Sequence, residues 1–142
     1  LKVYLSVPMI TNRALSRAHL MAKAIEDSGH EVTSPWVLGL IERSDSMVNV
    51  FRRDMASSED CDILVADISE PSIGVGMEIM AAYKAGRRII LLVRKGNVTS
   101  RMLQHMDKKE TIEYETDDDV YRKLRQLLEA RNNPHAFEAK PK

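Results

Sequence analysis

Two apolar runs constrain this chain more than any other feature: CDILVADI at 61–68 and RRIILLVR at 87–94. Neither alternates apolar with polar residues, so both read as strands covered on two faces rather than strands with one wet face. A parallel sheet has that property, because its crossovers lay helices over both sides. The rest of the chain supplies the crossovers. KVYLSV (2–7) reads as a first strand, followed by a helix with apolar residues Leu15, Ala18, Met21, Ala22 and Ile25, capped by Thr11 or Asn12 and stopped by Gly29. HEVTSP (30–35) is a second strand ended by proline, and 36–46 is a loop or short helix. A helix over 47–60, with Ser44, Asp45 or Ser46 as its cap, leads into the run at 61–68. SEPSIGVG then reads as a turn, 77–85 as a helix stopped by Gly86, and 87–94 as the fourth strand. A short helix around 100–106, a weak strand TIEYE (111–115) and a helix over 117–131 opened by three aspartates complete the pattern.

Strand and helix repeated in this way predict an α/β fold. The expected form is a flavodoxin-like or Rossmann-like three-layer sandwich with a five-stranded parallel sheet in order 2-1-3-4-5. Ligands of such sheets bind beyond the carboxyl ends of the strands where the order reverses, here between strands one and three. With 142 residues the chain forms a single domain over 1–131, and NNPHAFEAKPK (132–142) is an arm or a disordered tail. Lys plus Arg and Asp plus Glu both number 21, so bulk charge draws the protein neither to nucleic acid nor to an anionic membrane. No apolar run approaches the ~20 residues of a bilayer span. The single cysteine, Cys61, excludes an intrachain disulfide and the expected compartment is the cytoplasm. The four histidines show no metal-ligand spacing, so neither metal nor other cofactor is expected.

The chemistry concentrates in SEPSIGVGME (69–78). Gly74 and Gly76 beside the hydroxyl of Ser72 fit an anion cradle, since backbone N–H groups at a helix start bind anions and glycines allow close approach. The segment lacks the lysine of a P-loop and the third glycine of a dinucleotide fingerprint, and a tight turn explains it equally well. Glu78 follows, either as a complement to the helix dipole or as a reactive carboxylate. The second choice requires a partner, and Asp54 in FRRDMASSEDCD is the candidate, unless it is an exposed residue paired with Arg52 or Arg53. Two carboxyl groups flanking a glycosidic bond can divide attack on the anomeric carbon from protonation of the leaving group. Tyr4, leaving the first strand, can orient Glu78 or serve simply as core. Trp36, Met77 and Met102 are candidate walls for a flat base, with core or interface packing as the alternative.

YLSVPMIT, RRD at 52–54, ADISEPSIGVGMEIMAAYKAG at 66–86 and NVTSRML at 97–103 together resemble the nucleoside 2-deoxyribosyltransferase superfamily, closest to its 2′-deoxynucleoside 5′-phosphate N-hydrolase branch. The resemblance implies that Glu78 is the nucleophile, that Asp54 serves proton transfer and sugar positioning, and that Tyr4 is the tyrosine of the first strand. It also implies a substrate site that includes Ser72, Gly74, Gly76, Met77 and Met102. Six residues before the nucleophile the transferases carry an aspartate for a free 5′-hydroxyl and the hydrolases a serine for a 5′-phosphate; here the residue is Ser72. Ser100 matches the serine that the hydrolases lend to the neighbouring subunit, which implies a homodimer with shared sites. The first loop departs from the branch, with Pro8 and Ile10 where it carries phosphate ligands, and Arg13 is the candidate substitute.

The implied function is hydrolysis of 2′-deoxynucleoside 5′-monophosphates through a glycosyl-enzyme intermediate. Deoxyribosyl transfer to a second base and cleavage of ribonucleotides such as CMP are alternatives on the same chemistry. A signalling receiver domain would place its phospho-accepting aspartate at Asp67, but needs an acidic pair after strand one that LSVPM lacks. A nucleotide sensor without catalysis is the alternative from another class.

Overall fold

The computed structural model describes residues 1–10, 14–39 and 49–130. Five parallel strands form one sheet in the order β2-β1-β3-β4-β5, with β1 at Lys2–Ser6, β2 at Glu31–Val32, β3 at Ile63–Asp67, β4 at Arg88–Arg94 and β5 at Lys109–Tyr114. The helices are α1 (Leu15–Asp27), α2 (Val50–Asp60), α3 (Ile73–Lys84), α4 (Arg101–His105) and α5 (Asp117–Ala130), with a 3-10 turn at Pro35–Leu38. This is the doubly wound sheet that the apolar runs require. Thr11, Asn12, Ser44, Asp45, Ser46, Arg13 and the tail at 132–142 lie outside the described residues.

Strand alternation sorts the core into two layers. Val3, Leu5, Ile63 and Val65 face α1 and α5, packing with Met21, Ile25, Leu124 and Leu128. Tyr4, Leu64 and Ala66 face the opposite way, against Val75, Ile79 and Ala82 of α3. Fully buried aliphatic side chains such as Leu64 and Leu91 each stabilise the fold by about 1.5–3 kcal/mol. Gly29 and Gly86 adopt φ of +85° and +76° at the ends of α1 and α3. In both places the next N–H reaches back to close the helix, His30 to Ile25 O at 3.2 Å and Arg87 to Ala82 O at 2.9 Å.

Three elements differ from their sequence-based expectation. β2 stops at Val32 because Ser34 takes over the ladder with its side chain: Oγ accepts from Leu5 N and donates to Leu5 O, both at 2.8 Å. Pro35 then opens the 3-10 turn. The helix expected from 47 is described from Val50, and Asn49 rather than a residue at 44–46 caps it, accepting from Arg52 N at 3.0 Å. α1 follows Ala14, which offers no side-chain cap. Among the described residues no helix is long and apolar enough to cross a membrane.

Candidate active site

A fourth departure, in α3, shapes the site. Ser72 caps α3, its Oγ accepting from Val75 N at 3.3 Å, so the helix starts at Ile73 and not at Met77. Gly74 and Gly76 therefore lie within the first turns of a helix rather than in a loop. Each costs the helix up to about 1 kcal/mol relative to alanine, offset by the Ser72 cap and by burial of Val75, Ile79 and Ala82 against the sheet. What the glycines provide is space. A Cβ on Gly74 would stand 3.9 Å from Glu78 Oε1, one turn on, and a Cβ on Gly76 would meet nothing within 4 Å. The approach to the Glu78 carboxylate across this face is open.

Glu78 is the sixth residue of α3 and only 9% exposed, so it does not sit in the first turn to complement the dipole. Burial pushes its carboxyl up to about 7. Tyr4 opposes that shift by hydrogen bonding, the charge of Asp54 adds to it, and Ser6 and Arg53 oppose it. Tyr4 and Ser6 are alternate residues of β1, so both point to the α2/α3 side, where they are completely enclosed. Tyr4 Oη and Ser6 Oγ make no hydrogen bond of standard geometry, yet both lie close enough to Glu78 to favour its anion. Burial, then Glu78, holds the Tyr4 phenol far above its ordinary value, so it remains a donor.

Asp54 comes from α2, which packs beside α3. Its carboxylate is 19% exposed and accepts a hydrogen bond from Arg53 Nε at 2.9 Å. The Arg53 guanidinium in turn lies 4.1 Å from the Trp36 ring centroid, and Trp36 meets Tyr4 edge-on at 6.1 Å. One face of Trp36 thus carries an arginine, which leaves that face closed to a base. The arrangement can do what paired carboxyls do: one anion beside a reacting carbon, and a second carboxyl for proton transfer.

The other expected residues are more exposed than Glu78. Met77 is 45% and Met102 80% exposed, and Ser100 precedes α4 without capping it through its side chain. Ser72, Gly76, Ser100 and Met102 line a groove of about 940 Å³ between α3 and α4, along with Ile73 and Val98. Tyr4, Asp54 and Glu78 do not line it.

No protein-family model matches the chain. A protein of Thermofilum pendens with the provisional name 2′-deoxynucleoside 5′-phosphate N-hydrolase 1 is 35% identical over 104 residues, spanning 70% of this chain and 73% of that one. A Methanococcoides burtonii protein with the same provisional name is 30% identical over 108 residues, spanning 72% and 88%. The chain belongs to the 2′-deoxynucleoside 5′-phosphate N-hydrolase family. The CMP N-glycosidase of Clostridium botulinum shares the fold of this N-hydrolase family member, with a TM-score of 0.70 over 89% of this chain and 99% of that one at 20% identity.

Within this family member, three side chains around Glu78 take parts that the sequence alone does not assign them. Ser6 was legible as the next residue on the Tyr4 face of the strand. Arg53 and the actual use of Trp36 depend on the 3-10 turn, which no local pattern announced. Asp67, the strand-end aspartate of the receiver comparison, serves another purpose. It is buried on the α1/α5 side, where its carboxylate accepts from Arg17 Nη1 at 3.2 Å, Ser69 N at 3.0 Å and Tyr114 Oη at 3.2 Å. Ser69 Oγ accepts from Arg94 N, and Ser69 O from Asn97 Nδ2, each at 2.8 Å. This network fixes the connection from β3 to Ser72 and ties it to the loop that carries Ser100.

Proposed function

We propose that this chain hydrolyses the N-glycosidic bond of 2′-deoxynucleoside 5′-monophosphates, giving the free base and deoxyribose 5-phosphate. The observation that carries the reading is Glu78: a buried carboxyl held near 7, within electrostatic reach of Asp54 and lying behind a helix start capped by Ser72. The names of the relatives at 35% and 30% identity support the substrate class. The Glu78 anion attacks C1′ as the bond from C1′ to the base nitrogen breaks, forming a glycosyl ester. Positive charge developing at C1′ favours the ionised Glu78, and the Asp54 carboxylate relays a proton from solvent water to the departing base, itself remaining ionised. Asp54 then accepts a proton from the water that attacks C1′, and Glu78 leaves as the carboxylate. Tyr4 and Ser6 orient Glu78 with their enclosed hydroxyls.

The 5′-phosphate is assigned to the start of α3. Its first N–H groups lack intrahelical partners by construction. The Ser72 oxygen accepts from Val75 N, leaving its proton to donate to a phosphate oxygen. An aspartate at this position would repel that phosphate. Gly74 and Gly76 give the sugar room above Glu78, and Arg13 adds positive charge from the first loop. Met77 and Met102 take the base, and the chain works as a homodimer, with Ser100 contributed to the neighbouring site. The exposed Ile73 (87%), Val98 (90%) and Met102 (80%) around the α3/α4 groove form the apolar surface that a second copy would cover.

The test is a panel of deoxynucleotides, ribonucleotides and unphosphorylated nucleosides, with base release followed by chromatography and a second base added to detect transfer. Preferential cleavage of the deoxynucleoside monophosphates, with water as acceptor, is expected. Ser72→Asp should lower activity on monophosphates selectively. Preference for nucleosides would overturn the reading of Ser72, and an exchanged nucleoside would identify a transferase.

A further inference from the structure

We propose that Arg53 is a positioning residue for the carboxyl pair: stacked on Trp36 and bonded to Asp54, it aims the Asp54 carboxylate at Glu78 and supplies positive charge to both. This rests on the reading of Glu78 and Asp54 as the reacting pair. Consecutive residues of a helix do not face each other, so a bond from Arg53 Nε to Asp54 Oδ1 at 2.9 Å needs something to draw the guanidinium round. Trp36 does this, with its ring centroid 4.1 Å from the guanidinium carbon. The platform is itself anchored. Ser34 binds both backbone groups of Leu5 on β1, Pro35 starts the 3-10 turn, and the Trp36 ring abuts Tyr4.

A rigid path therefore runs from the central strand through Trp36 and Arg53 to Asp54. Only a planar guanidinium can stack and donate in the plane together, so lysine is not an equivalent. The Arg53 side chain is 25% exposed and belongs to neither core layer, so methionine can keep an apolar contact with Trp36 in its place. The groups acting on Glu78 are Tyr4 and Ser6 from β1 and Asp54 and Arg53 from α2. Arg53 is the cation among them.

The experiment compares Arg53→Met, Arg53→Lys and Trp36→Leu with the parent, each checked for a cooperative thermal transition. Two quantities are measured: kcat and KM for a deoxynucleoside monophosphate, and the titration midpoint of Glu78 by carboxyl 13C NMR. Arg53→Met should lower kcat by more than about tenfold with KM within about threefold, as expected when an aligned proton-transfer group is lost. Its Glu78 midpoint should rise above the parent value of about 7. Arg53→Lys should keep the midpoint near the parent's while kcat stays low, because charge returns without alignment. Trp36→Leu should lower kcat while Arg53 is intact.

Parent-like kcat and midpoint in Arg53→Met would overturn the proposal. A rise in KM confined to phosphorylated substrates, with an unmoved midpoint, would overturn it too, making Arg53 a phosphate ligand. Glu78→Gln serves as control: if it still releases base, the assignment of the nucleophile fails, while the NMR midpoint continues to judge Arg53 independently.

Discussion

Replacing Glu78 with glutamine should make the protein more stable at alkaline pH while removing its activity. The Glu78 carboxyl stands at about 7 in the folded chain against an ordinary value of 4.5. The folded state thus holds a proton that the unfolded chain gives up between these two values. Stability from this group is intact below pH ~4.5 and falls as pH rises towards 7, the reverse of a salt-bridged carboxylate. That difference corresponds to roughly 3 kcal/mol, most of which develops between about pH 5 and about pH 8.5. Glutamine keeps the shape, cannot ionise, and can accept from Tyr4 Oη and Ser6 Oγ, so that penalty disappears in the variant. The assay is urea unfolding of parent and Glu78→Gln at about pH 5 and about pH 8.5. Titrations of groups that do not act on Glu78 are common to both proteins and cancel in the comparison. The variant should gain about 2–3 kcal/mol relative to the parent on going to the higher pH, or about 4–12 °C in Tm for a domain of this size. A stability difference that does not change with pH would refute the claim that burial holds the Glu78 proton.

The same shift predicts the pH profile of base release. If Glu78 is the nucleophile, as proposed, it must be ionised to act, so kcat/KM should fall about tenfold per unit below the Glu78 value of about 7, and a profile flat down to about pH 5 would contradict this. Gly74→Ala tests the open face above Glu78, since its new methyl would lie 3.9 Å from Oε1 without a clash. Thermal unfolding should show a gain of up to about 1 kcal/mol in helix stability, with kcat/KM falling at least about tenfold as the methyl displaces the sugar. Val98→Asp, at 90% exposure beside the α3/α4 groove, should convert a dimer to monomers in sedimentation while leaving the fold intact. If Ser100 of a second copy completes the site, as proposed, base release should fall with it.

The fold was legible because a parallel sheet demands uninterrupted apolar strands, and ILVAD in β3 and RIILLVR in β4 supply them. Gly29 and Gly86 marked helix ends correctly because both positions need positive φ. The start of α3 was misplaced because two glycines lower helix propensity locally, whereas the Ser72 cap and burial against β3 act across the helix and prevail. β2 came out short because its last ladder bonds pass to a serine side chain, a substitution visible only once β1 lies alongside. In the site, the combination of glycines with Glu78 and Asp54 carried a recognisable pattern. The parts of Ser6 and Arg53 were less legible: Ser6 acts through strand alternation next to Tyr4, and Arg53, an expected partner of Asp54, acts through a tryptophan 17 positions earlier in the chain.

Base release by Glu78→Gln, measured beside nucleotide binding, tests the account most directly. The variant should bind a 2′-deoxynucleoside 5′-monophosphate with an affinity close to the parent's in calorimetry, because Ser72 and the start of α3 are untouched, and should release no base on prolonged incubation. Base release at near the parent rate would contradict the assignment of Glu78 as the nucleophile.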